Sequence, residues 1–247
     1  MGQPTVGSNP TPSALGYVSW SVGGHTGDVN LETVVSILAV GFTVAFAWPQ
    51  VFRALRHGVD GISVGAVTQS LISASAWFGY GLAQRLPPVM IADVGVIAGQ
   101  LIVTVLLVRN NALTKSRATA VVVVAIALIA ICQIPLLTTP IAMIAGLVAL
   151  TSALTQLIEV IREPDALEGL SAATYGILTI VACCWLAYGL LRGDMVIIVT
   201  NILMIPMAAY ITWAASHSHH DHEAEFEDHH HDDAAVPQQQ PADRVTD

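Results

Sequence analysis

Seven apolar stretches, each close to 20 residues long, take up most of this 247-residue chain. A helix rises 1.5 Å per residue, so about 20 residues cross the roughly 30 Å hydrocarbon core of a bilayer. Only 11% of the residues are charged, against roughly 25% in soluble domains. The chain is therefore predicted to be an all-α integral membrane protein with seven transmembrane helices. The expected spans are residues 31–52, 63–84, 89–108, 118–137, 140–161, 171–191 and 195–215.

Basic residues in the short loops predict the orientation of these spans. Loops rich in Lys and Arg resist translocation and stay in the cytoplasm. One set of alternate loops holds only Arg85 and Arg192. The other set holds Arg53, Arg56, Arg109, Lys115, Arg117 and Arg162. We therefore expect a multi-pass plasma-membrane protein with its N-terminus outside and its C-terminus in the cytoplasm.

Both ends of the chain differ in composition from the apolar body. Residues 1–30 contain no Lys or Arg and are rich in Gly, Pro, Ser and Thr, which predicts a disordered arm. Residues 216–247 are rich in His and carboxylates, which predicts a disordered cytoplasmic tail. Because no fixed ligand spacing is visible, we favour a solvated tail over a metal site. Weak binding of zinc, nickel or copper would involve His217, His219, His220 and His222.

An internal duplication is the most informative pattern in the chain. An offset of 108 residues relates Trp77 to Trp185 and Asp93 to Asn201, within similar surroundings. Each repeat covers three spans, and the fourth span has no counterpart, so the two repeats run parallel. Parallel repeats pack about an axis normal to the membrane and place a substrate site between them. The first repeat, the loop with its linker helix and the second repeat are expected at residues 31–108, 109–139 and 140–215.

The duplicated motifs resemble the PQ-loop superfamily, and the layout of three, one and three spans is similar to the SWEET sugar transporters. Each half resembles a bacterial SemiSWEET. The residues that carry this resemblance are Pro49-Gln50, the Gly61-Ile62-Ser63 and Gly169-Leu170-Ser171 loops, and the Trp-x-x-Tyr-Gly motifs that begin at Trp77 and Trp185. The resemblance implies alternating access, with a pocket formed by a tryptophan and an asparagine from each half. It also implies hinge or gating roles for Pro49, Gln50 and Gln156.

Carried over by position, the pocket residues are Trp77 and Asp93 in the first half and Trp185 and Asn201 in the second. A sugar has apolar C–H faces and a rim of hydroxyls, which suit an aromatic platform with donors and acceptors beside it. Ser73 is expected to add a hydrogen bond. The alternative for both tryptophans is a role as anchors at the membrane interface. The chain departs from the family pattern at Asp93, where asparagine is expected, and at Thr155, where a second proline is expected.

Asp93 leaves two further functions open. A carboxylate within a span is costly and usually faces a cavity or a partner. It could accept a hydrogen bond from the substrate or couple transport to protons, and its alternative is a position at the wet interface. A proton-coupled carrier of an amino acid or another cation would bring the chain closer to the cystinosin-like branch of the superfamily.

The main hypothesis is a transporter of a small polar solute, most simply a mono- or disaccharide, with no cofactor. Its expected partners are the solute and the lipid bilayer, and a homo-oligomer is left open. A second alternative is a receptor or scaffold with a metal-binding tail. A nucleic-acid footprint, a catalytic Ser-His-Asp set and a glycine-rich phosphate loop are all missing from the sequence. These absences argue against an enzyme.

Overall fold

The computed structural model describes residues 30–162 and 172–233, and within these ranges the chain forms seven α-helices and no strand. The predicted all-α fold is confirmed. Residues 1–29, the loop at 163–171 and residues 234–247 lie outside the described ranges. The helices are α1 (Leu31–His57), α2 (Val64–Gln84), α3 (Pro87–Arg109), α4 (Lys115–Ile131), α5 (Pro135–Arg162), α6 (Ala172–Arg192) and α7 (Met195–Asp233).

Four of the helices are individually long and apolar enough to cross a membrane. These are α1, α3, α6 and the Met195–Ser216 part of α7. The other three fall short alone: α2 carries several polar side chains, α4 has 17 residues, and α5 has a shorter apolar part at Pro135–Thr151. Many large apolar side chains on the outer surface are exposed, including Leu136 at 82%. Such a surface is suited to lipid.

Helix contacts follow the same pattern in both halves. In the first half, α3 packs against both α1 and α2, and in the second half, α7 packs against both α5 and α6. The halves meet where α1 contacts α6 and where α2 contacts α5. Six helices therefore form a ring around a common centre. The linker helix α4 lies outside this ring and packs mainly against α2.

Glycines allow the closest helix approaches in the first half. A Cβ atom on Gly95 would lie 3.1 Å from Val44, and one on Gly99 would lie 2.9 Å from Val51. The small-xxx-small spacing therefore brings α3 against α1, as expected for membrane helices. At Gly79 of α2, a Cβ atom would lie 3.0 Å from the backbone of α4.

Two helix boundaries differ from the sequence prediction. The fourth helix ends at Ile131, and α5 already begins at Pro135, so Pro140 lies inside α5 and not in a break. Pro135 is the first residue of α5, where a missing amide costs nothing because the first helical amides have no intrahelical partner. Pro140 lies in the second turn and leaves the carbonyl of Leu136 without its intrahelical donor. The Thr138 hydroxyl donates to the carbonyl of Cys132 at 2.7 Å, which stabilises the turn between the two helices.

The region beyond residue 215 also differs from its prediction. Helix α7 continues to Asp233, where a disordered tail was expected. No Gly or Pro occurs between Pro206 and the end of this helix, so no residue type there terminates it. The side chains of residues 217–233 lie outside the described part of the structure, and the weak metal site at His217, His219, His220 and His222 stays a prediction.

Candidate functional site

Two equivalent aromatic pairs face the centre of the ring. The Trp77 and Tyr80 rings are 5.8 Å apart at an interplanar angle of 86°. The Trp185 and Tyr188 rings are 5.6 Å apart at 87°. Both pairs are three residues apart on a helix, which places their side chains on one face, and both adopt the edge-to-face geometry that aromatic rings prefer. The sequence duplication is thus repeated in side-chain geometry.

Equivalent turns set the register of the helices that follow these pairs. The residue after each helix has left-handed backbone geometry, with φ at 56° for Arg85 and 66° for Gly193. The amide of the next residue donates to the carbonyl of Gly81 at 2.8 Å in the first half and of Gly189 at 2.9 Å in the second. This pattern is a Schellman-type helix end. It lets α3 and α7 begin at matching positions, so that the sites for Asp93 and Asn201 correspond.

A cavity of about 170 Å³ lies between the halves and brings together four of the five predicted substrate residues. They are Trp77, Asp93, Trp185 and Asn201. Helices α1, α2, α3, α6 and α7 all contribute to its wall. Pockets for drug-sized ligands are roughly 300–1,000 Å³, so this one is suited to a smaller solute. The remaining lining residues are Thr43, Val89, Ala92, Ile197 and Thr200.

The two cavity tryptophans differ in their hydrogen bonds. The indole N–H of Trp185 donates to the Thr43 hydroxyl at 2.9 Å, and that hydroxyl donates to the carbonyl of Ala39 at 2.7 Å. This chain of bonds fixes the Trp185 ring against α1. Within the described ranges, no protein group accepts a hydrogen bond from the indole of Trp77. The Trp77 N–H is therefore available to a ligand.

The two polar residues at the equivalent positions also differ. The Asn201 amide nitrogen donates to the carbonyl of Ile197 at 2.8 Å. Its carbonyl oxygen remains as an acceptor. Among the described residues, the Asp93 carboxylate has no hydrogen-bond or ion-pair partner. A carboxylate within a membrane span needs water, a ligand, a cation or a proton. The cavity gives access to each of these.

Gly146 allows α5 to pack closely against Thr200 and Trp77 in the wall of the cavity. A Cβ atom at this position would lie 2.7 Å from the hydroxyl of Thr200 and 3.4 Å from the ring of Trp77. The hydroxyl of Thr200 donates to the carbonyl of Val196 at 2.8 Å, which fixes its orientation. A side chain on Gly146 would displace Thr200 and push towards Trp77.

Ser73, the fifth predicted residue, does not line the cavity. Its hydroxyl lies 3.4 Å from the carbonyl of Ala145, and the Gln69 amide donates to the carbonyl of Val148 at 2.8 Å. Both bonds join α2 to α5. Ser73 is one helical turn before Trp77, where α2 faces α5. Its polar group therefore contributes to the contact between the halves.

The predicted hinge residues lie within helices. Pro49 is inside α1, as expected. Pro49 has no amide hydrogen and leaves one backbone carbonyl of α1 without its usual donor. Within the described ranges, the Gln50 side chain donates no hydrogen bond to that carbonyl. Gln156 belongs to α5, and its side chain lies outside the described part of the structure.

Two polar contacts join the halves at the end of the molecule where α1, α3 and α7 begin. The buried Tyr80 hydroxyl donates to the Asp194 carboxylate, at 2.8 and 2.7 Å from its two oxygens. The same carboxylate accepts hydrogen bonds from the backbone amides of Val196 and Ile197, both at 3.1 Å, and so caps the N-terminus of α7. Glu32 and Arg192 form an exposed ion pair at 3.4 Å. Asp194 precedes Asn201 by seven residues, so these contacts lie about 10 Å along α7 from the cavity.

Sequence reasoning missed several of these residues. Thr43 corresponds to Ala149 at the offset of 106 residues that relates Gln50 to Gln156, and Thr200 corresponds to Ala92 at the offset of 108. The repeat therefore gave no signal for either threonine. Tyr80 stood out as part of the motif but was given no role. Asp194 stood in a predicted turn beside Arg192-Gly193, where an N-cap signal could have identified it.

Together, these helices and the central cavity define a seven-helix membrane protein with two parallel repeats. The fold is similar to that of a eukaryotic SWEET transporter, with a TM-score of 0.62 and 18% sequence identity over 76% of this chain and 96% of that chain. Residues 137–214 match the model of a family described as a sugar efflux transporter for intercellular exchange. No curated protein matches the chain. The resemblance to the SWEET family that the duplicated motifs predicted is confirmed by the structural match and the family model.

Proposed function

We propose that this chain is a transporter that carries a small sugar across the membrane through the central cavity. The observation that supports this most directly is the meeting of Trp77, Asp93, Trp185 and Asn201 in one cavity between the two halves. The matching family of sugar efflux transporters and the SWEET transporter of similar fold support the same class of solute. We therefore propose that the chain is a transporter and not an enzyme.

The chemistry of the cavity suits a monosaccharide better than a disaccharide. The two indole rings offer apolar surfaces to the C–H faces of a sugar ring. The free N–H of Trp77 is a donor, while the Asp93 carboxylate and the Asn201 carbonyl are acceptors for hydroxyl groups. A volume of about 170 Å³ leaves little space for a second ring.

We propose that transport proceeds by alternating access between the halves, residues 31–108 and 140–215. The Tyr80–Asp194 and Glu32–Arg192 contacts close the cavity on the side that loop charges predict to be outside. Releasing them would open that side. In this proposal Pro49, which interrupts the hydrogen bonds of α1, is the hinge for the motion, and Gln50 and its counterpart Gln156 in the second half share that hinge or gating role. In this proposal the chain lies in the plasma membrane with its C-terminus in the cytoplasm.

The test is uptake of radiolabelled glucose into proteoliposomes that contain the full chain, with and without an inward proton gradient. We expect saturable glucose uptake that is independent of the gradient, and weaker uptake of sucrose. Empty liposomes and liposomes at 4 °C serve as controls. Absence of saturable uptake for glucose and for a panel of other monosaccharides would contradict the proposal.

A second candidate is a proton-coupled carrier of an amino acid or another cationic solute. The observation that favours it is the Asp93 carboxylate, which lines the cavity without a partner among the described residues. A protein carboxylate that gains and loses a proton can couple the gradient to substrate binding. Uptake of a labelled amino acid that accumulates only under the inward proton gradient, and fails to accumulate in Asp93→Asn, would favour this candidate over the first.

A further inference from the structure

A second opening lies away from the central cavity, between the C-terminal half of α3 and the N-terminal half of α4. It is a groove of about 480 Å³ on the outside of the helix ring. The groove exists because α3 and α4 make few contacts, while α4 packs mainly against α2. Its lining is Leu101, Thr104, Val105, Val108, Arg109, Lys115, Ala118, Thr119, Val122 and Val123.

The walls of the groove are apolar along most of their length. Val105 is 56% exposed and Val123 is 59% exposed. Thr104 is buried, and its hydroxyl donates to the carbonyl of Gln100 at 2.7 Å, so it presents no free donor to the groove. Both walls belong to membrane-spanning segments. An occupant of this part of the groove must therefore be a hydrocarbon chain or another apolar group.

One end of the groove is cationic. Arg109 at the end of α3 and Lys115 at the start of α4 both belong to its lining. No carboxylate occurs anywhere in the sequence between Asp93 and Glu159. Neither cation forms an ion pair within the part of the chain that the structure describes. Two unneutralised positive charges therefore lie where the apolar walls end, which is where the lipid headgroups of that leaflet begin.

From this juxtaposition we propose that the α3–α4 groove binds one anionic phospholipid. The phosphate-bearing headgroup lies between Arg109 and Lys115, and an acyl chain lies along the apolar walls. Charge complementarity selects an anionic headgroup over a zwitterionic one, and basic pockets between membrane helices are known sites for such headgroups. A free phosphate would leave the apolar walls uncovered. The proposal is independent of the transported solute.

The test measures lipid binding to the full chain in zwitterionic detergent by native mass spectrometry, with phosphatidylglycerol titrated against phosphatidylcholine. We expect one phosphatidylglycerol per chain with a clear preference over phosphatidylcholine. Each cation near an anionic headgroup is worth a factor of roughly five, so Arg109→Gln with Lys115→Gln is expected to weaken binding about 30-fold. The matched control, Arg53→Gln with Arg56→Gln, removes two cations at the same end of the molecule outside the groove and should leave binding unchanged.

A second variant separates a lipid from other occupants. Val123→Phe fills the apolar part of the groove and keeps both cations, and it is also expected to weaken phosphatidylglycerol binding. Equal binding in the Arg109/Lys115 and Arg53/Arg56 variants would overturn the proposal. So would displacement of the lipid by the acyl-free headgroup, glycerophosphoglycerol, at equal concentration, which would identify an anion site. Disulfide formation between two copies of a Val123→Cys variant in the membrane would instead identify a second copy as the occupant and overturn it as well.

Discussion

At the scale of single residues, the cavity carries different groups at its two equivalent positions. Asp93 has no partner among the described residues, while Asn201 already donates to its own helix. A hydrogen bond to a charged acceptor is worth about 1 kcal/mol more than one to a neutral acceptor. When Asp93 is ionised, the first half of the chain therefore contributes the stronger acceptor for a hydroxyl of the proposed sugar.

The variant Asp93→Asn tests this asymmetry. It keeps one acceptor oxygen and removes the charge, so we expect the KM for glucose uptake to rise about five-fold with little change in maximal rate. The measurement is the concentration dependence of uptake at several pH values. Asn201→Asp is the reciprocal control. An unchanged KM would show that Asp93 does not contact the sugar.

Sequence reasoning located the duplicated residues of the site but not their neighbours. Trp77, Asp93, Trp185 and Asn201 were accessible because a constant offset related them. Thr43, which accepts the hydrogen bond from the Trp185 indole, could not be predicted in this way, because that contact depends on how α1 packs against α6. A contact between helices from different halves leaves no periodic signal in the sequence.

At the scale of helices, the linker helix α4 explains a difference between the repeats. Gly79 of α2 corresponds to Ala187 of α6 at the same offset of 108 residues. Only α2 has a neighbour in the position of α4, and a Cβ atom on Gly79 would lie 2.9 Å from the Cβ of Cys132. No helix of the described chain packs against α6 in the equivalent way, so Ala187 is tolerated there.

The variant Gly79→Ala is therefore expected to lower stability by about 1–3 kcal/mol, the usual cost of overpacking. Thermal unfolding in detergent measures the change. Gly41→Ala is the matched control, because it also replaces a glycine within a helix and a Cβ atom there would have no neighbour within 4 Å. Equal effects of the two substitutions would contradict close packing of α4 on α2.

The turn between α2 and α3 predicts a stabilising substitution. Arg85 adopts a φ of 56°, which costs an ordinary L residue roughly 1 kcal/mol, whereas its counterpart Gly193 adopts 66° without that cost. We expect Arg85→Gly to raise the free energy of unfolding by up to about 1 kcal/mol. Gly193→Ala should lower it, although a Cβ atom there has open space. Thermal unfolding of both variants measures the pair, and a loss of stability in Arg85→Gly would contradict the argument.

At the scale of the whole molecule, the proposed cycle depends on two polar contacts at one end. The Tyr80–Asp194 bond is partly buried and charge-assisted, whereas the exposed Glu32–Arg192 pair is worth less than about 1 kcal/mol. The Tyr80 hydroxyl is therefore the main polar connection that must break before the halves separate there.

The variant Tyr80→Phe should increase access to the cavity from that end. In a chain whose native cysteines are replaced, a Thr200→Cys residue in the cavity wall reports access through its reaction with a membrane-impermeant thiol reagent added outside. We expect Tyr80→Phe to speed this reaction about ten-fold or more, since one charge-assisted hydrogen bond is worth about 1.5–3 kcal/mol. Tyr188→Phe is the matched control, because that hydroxyl forms no hydrogen bond within the described part of the chain. Equal labelling rates in the two variants would argue against a closing role for Tyr80.

Much of the architecture could be predicted because membrane helices obey simple rules of length and polarity. The number of helices and their parallel repeats follow from apolar runs and from the duplicated motifs. The shift of α5 to Pro135 and the role of Ser73 depend on packing between α2, α4 and α5. Neither hydropathy nor motif spacing encodes that packing directly.

The central claim is that the sugar passes between Trp77 and Asn201, and its most direct test is glucose uptake by single variants of the cavity in proteoliposomes. We predict that Trp77→Ala and Asn201→Ala each lower uptake at least about five-fold, because each removes a contact worth about 1 kcal/mol or more at a confined site. Trp213→Ala, which removes an exposed tryptophan of α7 outside the cavity, should leave uptake unchanged. Wild-type uptake in both cavity variants would contradict a route through this cavity.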